Sequence, residues 1–165
     1  MNIIIVGCGK VGLKLLEKLS QEKEHNITCI DIKYSTVQDA ISQYDIMGVV
    51  GSGVSQDTLK EAGIESANLL IAVTGSDELN LLTCLVAKKL GSLRTIARVR
   101  RPEYSKEIPL LKEDLGLAMV INPEQAAANE IARVLRFPSA IQIDTFAKGR
   151  VEILKFRIPE GSVLN

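Results

Sequence analysis

Three groups of residues have types and spacings suited to holding a phosphorylated, ribose-bearing ligand. The first is Gly7-Cys8-Gly9-Lys10-Val11-Gly12, a G-x-G-x-x-G set that follows the apolar run Asn2-Ile3-Ile4-Ile5-Val6. Gly7 permits a tight strand-to-helix turn, Gly9 lets backbone come close to a phosphate, and Gly12 lets the following helix pack on the strand. A helix N-terminus at that point offers unpaired N–H groups and the positive end of a dipole to an anion. The second group is Asp31, about 20 residues further on at the close of the next apolar run, where a carboxylate accepts hydrogen bonds from a ribose diol. The third is the set of small and polar residues that end the later apolar runs: Gly51-Ser52-Gly53, then Thr74-Gly75-Ser76-Asp77 with Asn80, and Arg98.

These groups need a scaffold that brings strand ends together. Apolar runs suited to buried parallel strands lie at 2–6, 27–31, 46–50, 68–73, 94–99 and 118–121. Helical periodicity fills the gaps. Val11, Leu15, Leu16 and Leu19 mark the first helix, and Val37, Ala40, Ile41 and Tyr44 the second. A short third ends at Gly63, and a fourth carrying Leu81, Leu82, Leu85, Val86 and Leu90 ends at Gly91. A fifth spans 103–115, before Gly116. The sixth opens at Asn122-Pro123-Glu124-Gln125, a capping residue, a proline and a capping-box glutamine, and stops before Pro138. The pattern predicts an α/β, Rossmann-like, doubly wound six-stranded parallel sheet of order 3-2-1-4-5-6. Beyond Pro138, Gln142–Phe146 and Val151–Ile158 alternate apolar and polar around a Lys148-Gly149 turn, as in a β-hairpin. A lone hairpin is not a domain. We therefore expect a nucleotide-binding domain over 1–136, and over 137–165 a linker and the start of a second, incomplete domain.

Composition narrows the function classes. The chain has 165 residues, 46% of them apolar and 24% charged, with a formal net charge of zero. That is a globular composition without the basic footprint of a nucleic-acid binder. No apolar run reaches the roughly 18 residues that span a bilayer, and the N-terminus enters a strand without signal-peptide character. Cys8, Cys29 and Cys84 form no C-x-x-C pair and read as reduced, mostly buried thiols of a cytosolic protein. Cys8, beside a helix N-terminus, is the one whose pKa that position would lower.

Several residues have two readings. Lys10 is either a phosphate ligand or a solvated side chain. Asp77 and Glu78 are either ordinary first-turn acids or ligand contacts. Arg98 needs a carboxylate, a phosphate or an adenine face as its partner. Asp31 disfavours a 2′-phosphate, and Lys33 softens that preference. The only histidine, His25, precedes the second strand and reads as a surface residue. No catalytic triad, acid–base pair or metal-ligand cluster falls near the strand ends. The chemistry points to a sensor rather than a catalyst. The alternatives are the cofactor domain of an NAD-dependent oxidoreductase, or an oligomerisation module with a vestigial cleft.

The chain also resembles a known family. Gly7-Cys8-Gly9-Lys10-Val11-Gly12, Asp31-Ile32-Lys33, Gly51-Ser52-Gly53, Ala72-Val73-Thr74 with Asp77, Glu78 and Asn80, Ile96-Ala97-Arg98-Val99 and Asn122-Pro123-Glu124 look like the RCK (KTN, or TrkA-N) domain. These are cytosolic regulatory domains of bacterial potassium channels and transporters. The resemblance covers residues 1 to about 136, and the tail around Asp144–Glu152 is similar to the start of the family's C-terminal domain. It implies binding of NAD(H) or ATP/ADP, assembly into dimers or rings, and a location in the cytoplasm against an integral membrane potassium transporter subunit. It implies Gly7, Cys8, Gly9, Lys10, Val11 and Gly12 at the phosphates and Asp31, Ile32 and Lys33 at the ribose. Gly51, Ser52, Gly53, Thr74, Gly75, Asp77, Asn80 and Arg98 would then lie around the adenosine. Many relatives carry an acid where this chain has Ser52.

Overall fold

The apolar runs form parallel strands β1 (Asn2–Val6), β2 (Asn26–Asp31), β3 (Met47–Val50), β4 (Leu69–Ala72), β5 (Thr95–Arg98) and β6 (Leu117–Ile121). They assemble as β3-β2-β1-β4-β5-β6, the expected order. The computed structural model describes residues 1–22, 24–92, 94–136, 140–146 and 150–158. Its residues divide into two units, Met1–Asn122 and Pro123–Asn165.

In the first unit, helices α1 (Lys10–Leu19), α2 (Tyr34–Gln43), α3 (Gln56–Glu61), α4 (Asp77–Leu90) and α5 (Pro102–Leu111) connect the strands. Buried side chains fall into two clusters. One holds Ile4, Val6, Ile30, Leu59, Leu70 and Val99. The other holds Ile3, Ile5, Leu16, Cys29, Val37 and Ile71. Alternate residues of β1 thus enter different clusters, which is why the strand reads as an unbroken apolar run. Each fully buried Ile or Leu contributes about 1.5–3 kcal/mol. Burial fades along one cross-strand row. Ile5 pairs with Ile71, Ile71 with Ile96 and Ile96 with Met119, while exposure rises from 0% at Ile5 to 5% at Ile71 and 55% at Met119.

The glycines stop the helices as expected. Gly91 adopts φ 115° behind α4, and the Ser92 N–H bonds to the Ala87 carbonyl at 3.0 Å, a Schellman closure. The fifth helix is shorter than the expected 103–115. Regular α-helix ends at Leu111, and residues 112–116 form turns. There the Leu117 N–H reaches the Lys112 carbonyl at 2.9 Å, with Gly116 at φ 61°. His25 also departs from expectation. Its side chain is only 16% exposed, with Nε2 3.0 Å from Glu22, and it lines a depression with Ile27 and Ile46.

In the second unit, α6 (Pro123–Arg136) is followed by β7 (Ala140–Phe146) and β8 (Val151–Phe156). The two strands pair antiparallel as the expected hairpin. Lys148-Gly149, read as its turn, lies outside the described residues, as do 159–165.

Candidate functional site

The carboxyl ends of the strands open into a cleft of about 500 Å³, a size suited to a small organic ligand. Gly7, Cys8, Gly9, Lys10, Asp31, Ile32, Lys33, Gly51, Ser52, Gly53, Thr74 and Gly75, all singled out from sequence, line it. The glycines do different work there. Gly7 has φ 97°, and a Cβ on it would meet the Thr74 backbone at 2.9 Å. A Cβ on Gly12 would lie 1.9 Å from the Gly7 carbonyl oxygen. Both are therefore demanded by the fold. Gly9 is not, since its φ of −74° is open to any residue and a Cβ there would meet nothing within 4 Å. Gly75, across the cleft, is equally open. Both glycines line the cleft, and the fold itself leaves room for a side chain at either position.

Helix α1 begins at this wall. Its N-cap, Gly9, supplies no side-chain acceptor, and its first turn holds no acid. By contrast, α3 and α4 are capped by Ser55 and Ser76 and carry Asp57 and Asp77 in their first turns. The α1 N-terminus keeps its free N–H groups and its positive dipole end for the cleft, with the Lys10 side chain beside them.

Asp31 is already oriented. Its Oδ2 accepts the Cys8 N–H at 2.8 Å and its Oδ1 accepts the Lys33 N–H at 2.9 Å. A carboxylate has about four lone-pair positions, so each oxygen retains capacity for a ligand hydroxyl. Thr36 and Asp39, at i and i+3 on α2, complete this wall. Sequence reasoning missed both, because their exposure to the cleft depends on how α2 is rotated about its axis. Ser76, read from sequence with the residues that end the fourth strand, also lines the cleft, as do Leu13 and Leu79, which sequence reasoning missed.

Val11, Gly12, Asp77, Asn80 and Arg98, also predicted as contacts, do not line the cleft. Val11 lies on an outer groove of α1. Asn80 is fully buried. Its Oδ1 accepts the Thr74 N–H at 2.8 Å and the Thr74 hydroxyl at 2.7 Å. Its Nδ2 donates to the carbonyls of Thr74 at 3.3 Å and Arg98 at 2.9 Å. One amide side chain thus ties the end of β4 to the end of β5. Asp77 is 2% exposed and accepts the N–H groups of Arg100 and Arg101, each at 2.8 Å. The Arg100 guanidinium reaches both Asp77 and the Gly75 carbonyl. Burial pushes the Asp77 carboxyl up, but these donors outweigh it and hold the group below its usual range. Outside it, Glu78 accepts from Ser76, Tyr104 and Arg101. The Ser76 hydroxyl is the largest of the influences that lower its carboxyl to about 2.

The cysteines are free and buried. Cys8 does not gain the lowered pKa that its position suggested. Its contact with the Cys29 thiol, its burial and the nearby Asp31 charge push it up. Burial raises Cys84 to about 11. No set of three or more His, Cys, Asp or Glu among the described residues forms a metal site. No described helix is long and apolar enough to cross a membrane.

A family model for the TrkA-N domain matches residues 3–123. The "Trk system potassium uptake protein TrkA homolog" of Archaeoglobus fulgidus is 38% identical over 163 residues, which is 98% of this chain and 36% of that relative. The chain spans about a third of the length of the curated relatives it matches. Among solved structures, "GsuK channel bound to NAD" superposes with a TM-score of 0.61 at 23% identity, covering 87% of this chain and 24% of that one. "Shewanella denitrificans Kef CTD in AMP bound form" superposes with a TM-score of 0.66 at 18% identity, covering 86% of this chain and 84% of that one. These two likenesses establish the fold.

Proposed function

From the premise that the chain belongs to the TrkA-N domain family, we propose that it is a regulatory nucleotide-binding domain of a potassium uptake system. Residues 1–136 bind NAD(H) or ATP/ADP in the strand-end cleft. Residues 137–165 begin a further domain. The domain acts in the cytoplasm, self-associates as a dimer or larger ring, and biases the gating of an integral membrane potassium transporter subunit. A ligand achieves this by binding two conformations with different affinity.

The observation that carries the reading is Gly9. The fold needs glycine at Gly7 and Gly12 but leaves the space over Gly9 open. That space adjoins the uncapped start of α1 and Lys10, while Asp31 is held ready on the same cleft. An anionic phosphate group suits the α1 side and a ribose diol suits Asp31. The printed names of the relatives supply the potassium context, and the NAD- and AMP-bound neighbours support an adenine nucleotide. The reading as a non-enzyme rests on the cleft lining. It holds no histidine or tyrosine among the described residues, and its thiol, Cys8, is shifted away from the reactive thiolate.

Calorimetric titration with NADH, NAD⁺, ATP and ADP tests the proposal. We expect micromolar binding by at least one of the four, weakened about tenfold or more by Asp31→Ala. Absence of binding by all four would refute it.

A further inference from the structure

Cys8 and Cys29 are distant in the chain and meet beside the cleft. Ile5 of β1 pairs with Cys29 of β2. Beyond β1 the glycine loop stays against the end of β2. The Gly7 N–H donates to the Ile30 carbonyl at 2.8 Å, and the Cys8 N–H donates to the Asp31 carboxylate at 2.8 Å. The Cys8 Sγ turns inward and lies 3.8 Å from the Ile30 carbonyl oxygen. Both thiols are free and enter one buried cluster. They touch there, the Cys8 S–H donating to the Cys29 sulfur. Cys8 also lines the cleft, so a small solute in the cleft comes up against the pair. The third thiol, Cys84, belongs to the other buried cluster.

We propose that Cys8 and Cys29 form an oxidative modification site, closing to an intramolecular disulfide when a hydroperoxide enters the cleft. Cys29 is the attacking sulfur, because the hydrogen bond from Cys8 holds its thiol below the usual range despite burial. Its sulfur bonds to one peroxide oxygen as the O–O bond breaks. The departing oxygen takes the Cys29 proton and leaves as water, and Cys29 becomes a sulfenic acid. The Cys8 sulfur then attacks the Cys29 sulfur. The S–S bond forms, the S–O bond breaks, and the hydroxide takes the Cys8 proton to leave as a second water. Two thiols are oxidised to one disulfide, and one peroxide is reduced to two waters. Closure brings the sulfurs from contact to about 2.05 Å. That draws Cys8 toward β2 and disturbs the N–H that orients Asp31. Loss of ligand affinity on closure rests on the nucleotide reading above; the disulfide itself does not.

The test treats the whole chain with hydrogen peroxide and follows intact mass and a tryptic map without reductant. We expect the loss of two hydrogen atoms and a disulfide joining the peptide that ends at Lys10 to the one that ends at Lys33, with Cys84 left as a free thiol. ADP should then bind about tenfold more weakly than before oxidation, and a dithiol reductant should restore it. In Cys29→Ala the same treatment should form no such disulfide and leave ADP affinity as it was in the untreated variant. Thiols of the parent protein that stay reduced would overturn the site. So would added oxygen without the cross-link, or a disulfide between two copies. A disulfide that forms while ADP affinity holds would overturn its effect on the cleft. ADP that binds neither form would count against the nucleotide reading, and the mass spectra alone would then decide the disulfide.

Discussion

Alanine at Gly9 and at Gly12 should separate the needs of the ligand from those of the fold. At Gly9, φ −74° and ψ −166° are open to alanine, and the new methyl would touch nothing within 4 Å. Restricting the unfolded chain stabilises by about 0.4–1 kcal/mol. Losing glycine at an N-cap costs about 0.5–1 kcal/mol. The two nearly cancel, so Gly9→Ala should unfold within about 0.5 kcal/mol of the parent. At Gly12 the methyl carbon would sit 1.9 Å from the Gly7 oxygen and 3.0 Å from the Gly7 carbonyl carbon. Backbone must move by more than an ångström, at about 3 kcal/mol or more. Urea unfolding of both variants, read beside calorimetric titration of Gly9→Ala with the best-bound nucleotide, checks the pair. Gly9→Ala should fold normally and bind about a hundredfold more weakly, because the methyl occupies ligand space. A Gly9→Ala protein that is markedly destabilised, or that binds as well as its parent, would refute the argument.

Two further outcomes follow from the strand-end polar network. Asn80→Ala removes the partner of the Thr74 N–H and the Arg98 carbonyl and should destabilise the protein by about 2–4 kcal/mol, measurable by urea unfolding. Asp77 and Glu78 titrate below their ordinary values of 3.8 and 4.5. A lowered carboxyl contributes stability that is complete above its unfolded pKa and lost as pH falls toward the folded one. Thermal unfolding from pH 6 to pH 2 should therefore show a loss below about pH 4.5, reduced in Asp77→Asn and Glu78→Gln; an unchanged acid limb in both would contradict the network.

Much of the fold could be read from the sequence because it depends on local period and punctuation. Strands with both faces buried are continuous apolar runs, and Gly63, Gly91 and Gly116 end elements at positive φ. Asp31 was legible for the same reason, since it closes a strand at a fixed distance from the glycines. Asn80 and Asp77 were not. Whether a polar residue in the first turns of a helix faces a ligand or a neighbouring loop depends on where β5 ends, more than 15 residues away in sequence. Thr36 and Asp39 were missed because a hydroxyl or an acid on a helix resembles any solvated polar residue until the helix is placed against the cleft. His25 looked like a surface residue because its low exposure depends on how the turn before β2 folds, which no local pattern announces.

The two backbone N–H groups that hold Asp31 have a kinetic consequence. Its carboxylate is immobilised before any ligand arrives, so this end of the cleft needs no closing step and no search through rotamers. A ligand that meets Asp31 should then associate in a single encounter limited by diffusion and orientation. Ligands that differ in how well their hydroxyls meet Asp31 should then share similar on-rates and differ in residence time.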